Sequence, residues 1–327
     1  MSSYSRALIT TPSELAATIP HLLGYYPSTG SLVMITMTSR TPTRIGVVVR
    51  ADLPADDDQA MLVDHLLGIA TDNRAAAAFL VVVDRPDTGQ PPRPLPARRL
   101  LTLLTTTPTG HGIPVKYRMW VAELSPGARW CSYDDADDHG TMPDPASSVL
   151  AVERVLLGAV THGSREQIAE ILGPDVPSEV LDRRAGMLAA APTAPPNPDA
   201  IDSVIRNAET GVLPATDEEV VLLATTLATP ATRDRWLKRC VGDHPAAVER
   251  LALALVRGLP GRWRAHAESV YAFAVYLRGD GVLARLAAAD ALRAYPGHNL
   301  AVLILNALQT GMHPDRLRRV VEAAFLA

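Results

Sequence analysis

Residues 77–83, Ala-Ala-Phe-Leu-Val-Val-Val, are apolar without interruption. A strand with one wet face alternates apolar and polar side chains. An unbroken run rich in branched residues needs cover on both faces. The run is also too short to make a typical helix. It therefore belongs in the interior of a sheet with helices on either side, which selects an α/β layer architecture before any other motif is considered.

The flanking segments supply the layers. Thr11, Pro12 and Glu14 form a capping box with proline at the first helical position. Leu15, Ile19, Leu22 and Leu23 follow at helical spacing, Gly24 is a natural stop, and Pro20 should divide the run. Residues 31–38 and 43–50 read as strands, and the Ser-Arg-Thr-Pro turn between them predicts an antiparallel hairpin. Residues 56–70 read as a helix with its aspartates at the N-terminus, where the helix dipole favours them. A proline-rich loop at 86–96 leads to a helix near 97–106. Residues 115–124 and 128–134 read as a second hairpin. The order α-β-β-α-β-α-β-β predicts a mixed-sheet sandwich over about residues 8–140. The Gly-x-Gly-x-x-Gly turn of a dinucleotide fold is missing from it.

From about residue 146 the pattern is helical, with caps at Ser164/Gln167 and Thr216/Glu219. The proline-rich stretch 191–200 reads as a linker. These features predict an α/β domain with trailing helices over 1–195 and an all-α domain over 196–327. Ala272, Ala284, Ala291 and Pro296, at offsets of 12, 7 and 5, match the small-residue and terminal-proline positions of a tetratricopeptide helix pair. A second pair, 299–311 with 314–325, is expected to stack on it, so the C-terminal domain is read as tetratricopeptide-like.

Composition narrows the function. The chain has 327 residues, 47% hydrophobic and 20% charged, which suits two ordinary globular domains. The net charge of −4 argues against a broad nucleic-acid or anionic-membrane footprint. The basic residues are almost all arginine, with lysine only at 116 and 238, and alanine and proline are abundant, as a GC-rich actinobacterial genome would produce. Cys131 and Cys240 are too few and too far apart for a disulfide framework or a cysteine zinc site, and they are expected to be free thiols in a reducing cytoplasm. The opening Met-Ser-Ser-Tyr-Ser-Arg lacks the pattern of a signal peptide, and no apolar stretch has the length of a membrane span. A cytoplasmic location away from membranes is the expectation.

The stretch "PSELAATIPHLLGYYPSTGSLVMI" resembles the opening of an actinobacterial family grouped only as a domain of unknown function, number 4192. Pro12, Leu15, Pro20, Leu22, Leu23, Gly24, Tyr25, Pro27, Ser31, Leu32 and Val33 carry the match, with one extra residue in the turn. "RWCSYDD" (129–135), "SSVLAVERVLLGAVTHGSREQI" (147–168) and the segment 274–296 are similar too. The resemblance implies a fold and a lineage but no activity. It also implies cysteines after the Arg-Trp-x-Ser segment, where this chain has Asp-Asp-Ala-Asp-Asp-His-Gly instead.

Candidate site residues fall in three places. The loop Pro27–Ser31 could cradle an anion, with Tyr25, Tyr26, Ser28 and Ser31 around it. It runs from helix to strand, however, the reverse of a phosphate loop, and the plainer reading is a turn. Asp84 and Arg85 follow the buried strand, where open α/β sheets bind ligands. In the helical half, Arg235, Trp236 and Arg239 combine charge with an aromatic anchor, as partner surfaces do, and "RGLPGRWR" (257–264) repeats the pairing. The acidic stretch 134–140 is read as a solvated loop rather than a metal site. No His-x-x-x-His or Gly-x-Ser-x-Gly motif occurs. The expected function is therefore a non-catalytic protein–protein adaptor without cofactor or metal. The alternatives are a small-ligand protein or enzyme built near Asp84, or a DNA-associated accessory factor using Arg233, Arg235 and Arg239.

Overall fold

A computed structural model describes residues 9–39, 43–86, 90–106, 113–156, 160–191 and 198–326. It divides the chain into two compact units, 1–167 and 168–327. The boundary expected near residue 195 falls among residues 192–197, outside the described residues.

In the first unit Thr11 caps α1 (Pro12–Ala17) through the capping box with Glu14. Thr18 interrupts the helix, its hydroxyl donating to the Leu15 carbonyl at 2.7 Å. The break falls there because Pro20 brings no N–H to the first turn of α2 (Ile19–Leu23). Gly24 then ends α2 in the left-handed conformation, φ +83°.

The sheet holds β1 (Ser31–Met37), β2 (Ile45–Asp52), β3 (Ala77–Val83), β4 (Val115–Val121), β5 (Arg129–Ser132) and β6 (His139–Thr141), in the order β2-β1-β3-β4-β5-β6. Only β3 and β4 run parallel; the other neighbours are antiparallel, so the sheet is mixed. Every residue of β3 is buried. Leu80 and Val82 join Leu32, Met34 and Trp120 in one core beneath α3 (Gln59–Asp72) and α4 (Arg98–Thr106), which contribute Leu66, Leu67, Leu100, Leu101 and Leu104. Val81 and Val83 alternate to the opposite face, where Val33, Ile35, Met119 and Val121 are buried as well. The two-sided cover demanded by the apolar run is present.

The acidic stretch is not wholly loop. It contains β6, in which Gly140 lies opposite Trp130. A Cβ on Gly140 would come within 3.2 Å of that indole, so any larger residue there would push the ring outward by a few tenths of an ångström.

Helices α5 (Val149–Leu156) and α6 (Arg165–Glu170) lead to the division between the units. The Ser164 hydroxyl accepts from the Gln167 N–H at 3.3 Å at the start of α6, and the Gln167 side-chain carbonyl accepts from the Gly163 N–H at 2.8 Å. The second unit is helical throughout its described residues: α7 (Ser178–Ala190), α8 (Pro198–Glu209), α9 (Asp217–Leu227), α10 (Pro230–Val241), α11 (Pro245–Gly258), α12 (Gly261–Arg278), α13 (Gly281–Ala294), α14 (Asn299–Gln309) and α15 (Pro314–Leu326). The fold is therefore α/β followed by all-α. Helix α12 is buried along most of its length and packs between α11 and α13. Ala272, Ala284 and Ala291 have no exposed surface, which lets α12 and α13 approach closely.

Candidate functional site

The structure brings the residues of the opening loop to the end of β3. Ser31 pairs with Val83 across β1 and β3. The Thr29 hydroxyl donates to Asp84 Oδ1 at 3.2 Å and accepts from the Arg85 N–H at 2.7 Å. Arg85 pairs with Glu123. The Ser31 hydroxyl donates to the Ser28 carbonyl at 2.6 Å, and Arg50 donates to the hydroxyls of Ser31 (3.0 Å) and Ser28 (3.2 Å) while pairing with Asp52 (2.7 Å). Ser28, Ser31, Asp84 and Arg85 thus lie at one end of the paired strands, and each already has a polar partner: Thr29 for Asp84, Glu123 for Arg85 and Arg50 for the two serines. Tyr25 is buried, and burial holds its phenol above the ordinary value. Its backbone bridges to His162, and the Tyr26 N–H donates to the His162 carbonyl at 3.1 Å. This arrangement clamps the loop onto the sheet.

Trp236 has no exposed surface and is part of the core of the helical unit. Arg235 and Arg239 each donate twice to the Asp202 carboxylate, with shortest contacts of 2.6 and 2.7 Å. The two guanidiniums hold that carboxyl far below the usual range. This triad ties α8 to α10. Arg233 pairs with Asp234 at 3.3 Å, so the arginine cluster carries matching acids within it.

Beside that tie, α8 and α9 leave a shallow, open apolar groove with room of about 100 Å³, lined by Ile201, Val204, Val212, Leu213, Pro214 and Leu222 together with Asn207 and Glu219. Its walls are locally determined. Gly211, at φ +85°, turns the chain at the end of α8, with the Gly211 and Val212 N–H groups donating to the Ala208 and Asn207 carbonyls. Arg250 donates to the Ala208 carbonyl at 2.8 Å. Thr216 opens α9 with a second capping box, and the Glu219 carboxylate accepts from the N–H groups of Ala215 (2.9 Å) and Thr216 (3.1 Å). Arg184 anchors this start of α9 through Asp217 (2.7 Å) and the Gly258 carbonyl (2.7 Å). Between these two fixed ends Val212 is 59% exposed and Leu213 39%; Leu222, on α9, is 50% exposed. Sequence reading missed the groove. Its one local signal was Val-Leu-Leu at 221–223, which makes α9 apolar on more than a single face.

A second cluster was also missed. His298 caps α14, its Nδ1 accepting from the Ala301 N–H at 3.4 Å. The neutral ring then carries its proton on Nε2, which donates to His266 Nδ1 at 3.0 Å. Tyr295 packs edge-on against both rings. Burial and the nearby Arg233 charge push both imidazoles down to about 4, with His298 and Arg262 adding to the effect on His266. His266 and His298 come from separate helices, and no short spacing announces the pair.

In the acidic stretch Asp134 pairs with Arg118, and Asp138 accepts from the Tyr117 hydroxyl. Among the described residues no group of three or more histidine, cysteine, aspartate or glutamate side chains is placed to hold a metal ion, and no helix is long and apolar enough to cross a membrane.

Taken as a class, this is a two-unit chain, a mixed α/β sheet followed by a helical unit with an open apolar groove. It belongs to the family described as Domain of unknown function (DUF4192), whose model matches residues 12–315 and so spans both units. Neither a curated protein nor a solved structure matches it.

Proposed function

We propose that this is a non-catalytic, cytoplasmic interaction protein whose helical unit, with tetratricopeptide-like packing of α12 on α13, docks a partner protein in the α8–α9 groove. One observation carries the reading: Val212, Leu213 and Leu222 are exposed together around one groove rather than scattered. Single exposed apolar residues are ordinary, but a contiguous set rimmed by polar groups is the mark of an interaction surface. The spacing of Ala272, Ala284, Ala291 and Pro296 supports the tetratricopeptide-like reading. A ligand site at Asp84 is less favoured because Asp84, Arg85, Ser28 and Ser31 already have partners in Thr29, Glu123 and Arg50. A DNA-binding arginine face is less favoured because Asp202 and Asp234 match the charges of its members.

The test is affinity capture from the native host with the full chain and with Leu222→Asp and Val212→Asp. Both side chains are largely in water, so each variant should keep its stability within about 0.5 kcal/mol. A defined set of proteins captured by the unmodified chain and lost with both variants is the expected result. Capture that both variants retain contradicts the reading.

A further inference from the structure

We propose that the occupant of the α8–α9 groove is an amphipathic helix of a partner protein whose apolar stripe is flanked by lysine or arginine. This rests on the docking function proposed above and adds the partner's conformation and charge.

The conformation follows from the backbone around the groove. An extended segment gains affinity by pairing its main chain with free donors and acceptors of the host. Here both walls are helices, whose main-chain groups are satisfied internally. The connecting loop has little to offer either. The N–H groups of Gly211 and Val212 are committed to α8, those of Ala215 and Thr216 to Glu219, and Pro214 has none, which leaves the Leu213 N–H as one donor, too few to pair a strand. An extended occupant would bury its own amides against apolar side chains without partners, a penalty of about 1–3 kcal/mol for each group. A helix arrives with its backbone bonds already made. It need only lay apolar side chains at i, i+4 and i+7 against Val204 on α8 and against Val212, Leu213 and Leu222 beyond it.

The charge follows from the rim. From residue 198 to residue 227 the chain carries Asp199, Asp202, Glu209, Asp217, Glu218 and Glu219 against the single basic residue Arg206. Asp202 is matched by Arg235 and Arg239, and Asp217 by Arg183 and Arg184. Glu209 is paired with His244. Glu218 and Glu219 are exposed at the start of α9, and Glu219 lines the groove itself. The amides that Glu219 accepts from favour its ionised form. The mouth therefore presents negative charge beside an apolar floor. A basic flank on the incoming helix would be attracted to it, and an acidic flank repelled.

The probe is a pair of fluorescent helical peptides with the same leucine stripe, one flanked by lysines and one by glutamates, titrated into the full chain by fluorescence anisotropy. The lysine peptide should bind about tenfold tighter or better at low salt. That advantage should shrink towards parity in roughly 0.5 M salt. Glu218→Lys should narrow it, and Leu222→Asp and Val212→Asp should each weaken both peptides. Equal binding of the two peptides, lost with Leu222→Asp, overturns the charge assignment and leaves the docking function standing. If neither peptide binds while host capture still depends on Leu222, the helix assignment is overturned and the docking function again survives. Self-association of the chain that Leu222→Asp abolishes would make a second copy the occupant and overturn this proposal. Indifference of both peptide binding and host capture to Leu222 and Val212 overturns the two readings together.

Discussion

Asp202 fastens the α8 wall of the groove to α10. Its carboxylate is nearly buried, while the side chains of Arg235 and Arg239 are 36% and 31% exposed. Removing the acid takes their shared carboxylate from two guanidiniums that are about two-thirds buried. Removing one arginine leaves the other still bidentate. Asp202→Ala should therefore destabilise the chain by about 2–3 kcal/mol, the buried-pair value discounted for the exposure of the arginines. Arg235→Ala should lose about 1 kcal/mol or less. Urea unfolding separates the two. Equal losses would mean that the triad does not fasten α8. The same accounting explains why Arg235, Trp236 and Arg239 look like a partner surface in the sequence. Arginine and tryptophan are frequent both at interfaces and at buried polar seams, and only Asp202, more than thirty residues away, shows which applies here.

At the scale of elements, α12 and α13 make the most extensive helix contact of the helical unit. Ala272, Ala284 and Ala291 are fully buried there, so any added carbon has to displace a neighbour. Ala284→Leu should destabilise by about 1–3 kcal/mol through overpacking. Ala289→Leu, on a half-buried position of the same helix, is expected to change stability by about 0.5 kcal/mol or less. Chemical unfolding followed by far-UV circular dichroism checks both. A similar loss at the two positions would show that helix propensity, rather than close approach, sets the effect. The elements whose ends carry capping boxes, α1 and α9, were readable residue by residue, because a cap is closed by groups three residues apart. Strand β6 was not. It pairs with β5 beneath the Trp130 ring, where Gly140 keeps the approach close, and an acidic sequence gives no sign of that neighbour.

For the whole molecule, acid should act first through the buried His21 and His298 and the half-buried His266. His266 and His298 fall from the ordinary value of 6.5 to about 4, and His21 is also lowered by burial. The unfolded chain therefore binds these protons at a higher pH than the folded chain. The stability they contribute is fully present above about pH 6.5 and is lost progressively down to about pH 4. Asp202 and Asp217, held low by their arginines, contribute stability that is lost as pH falls below the ordinary 3.8. Glu249 and Glu268 are raised by burial and act in the opposite direction, gaining as pH falls towards 4.5. A single variant isolates the histidine contribution. His298→Asn keeps an N-cap acceptor for α14 but removes one titrating ring. The stability difference between the unmodified chain and this variant should shrink as pH drops from 6.5 to about 4. A difference that stays constant with pH would show that His298 does not titrate with folding.

The sequence by itself determined the features whose causes lie within a few residues. These are the helix break at Pro20, the stop at Gly24, the caps at Thr11 and Thr216, and the two-sided cover required by residues 77–83. Each depends on steric limits or hydrogen bonds that close locally, so spacing alone reveals it. Only the tertiary structure decided what those elements present to the outside. Thr29 meets Asp84 and Arg85 because β1 lies beside β3, and that meeting turns a candidate site into a clamp. Val212, Leu213 and Leu222 form a groove because Asp202 and Arg250 hold α8 while Asp217 and Glu219 hold the start of α9. Exposure and charge pairing are properties of neighbours distant in the chain, and no local pattern encodes which neighbour arrives.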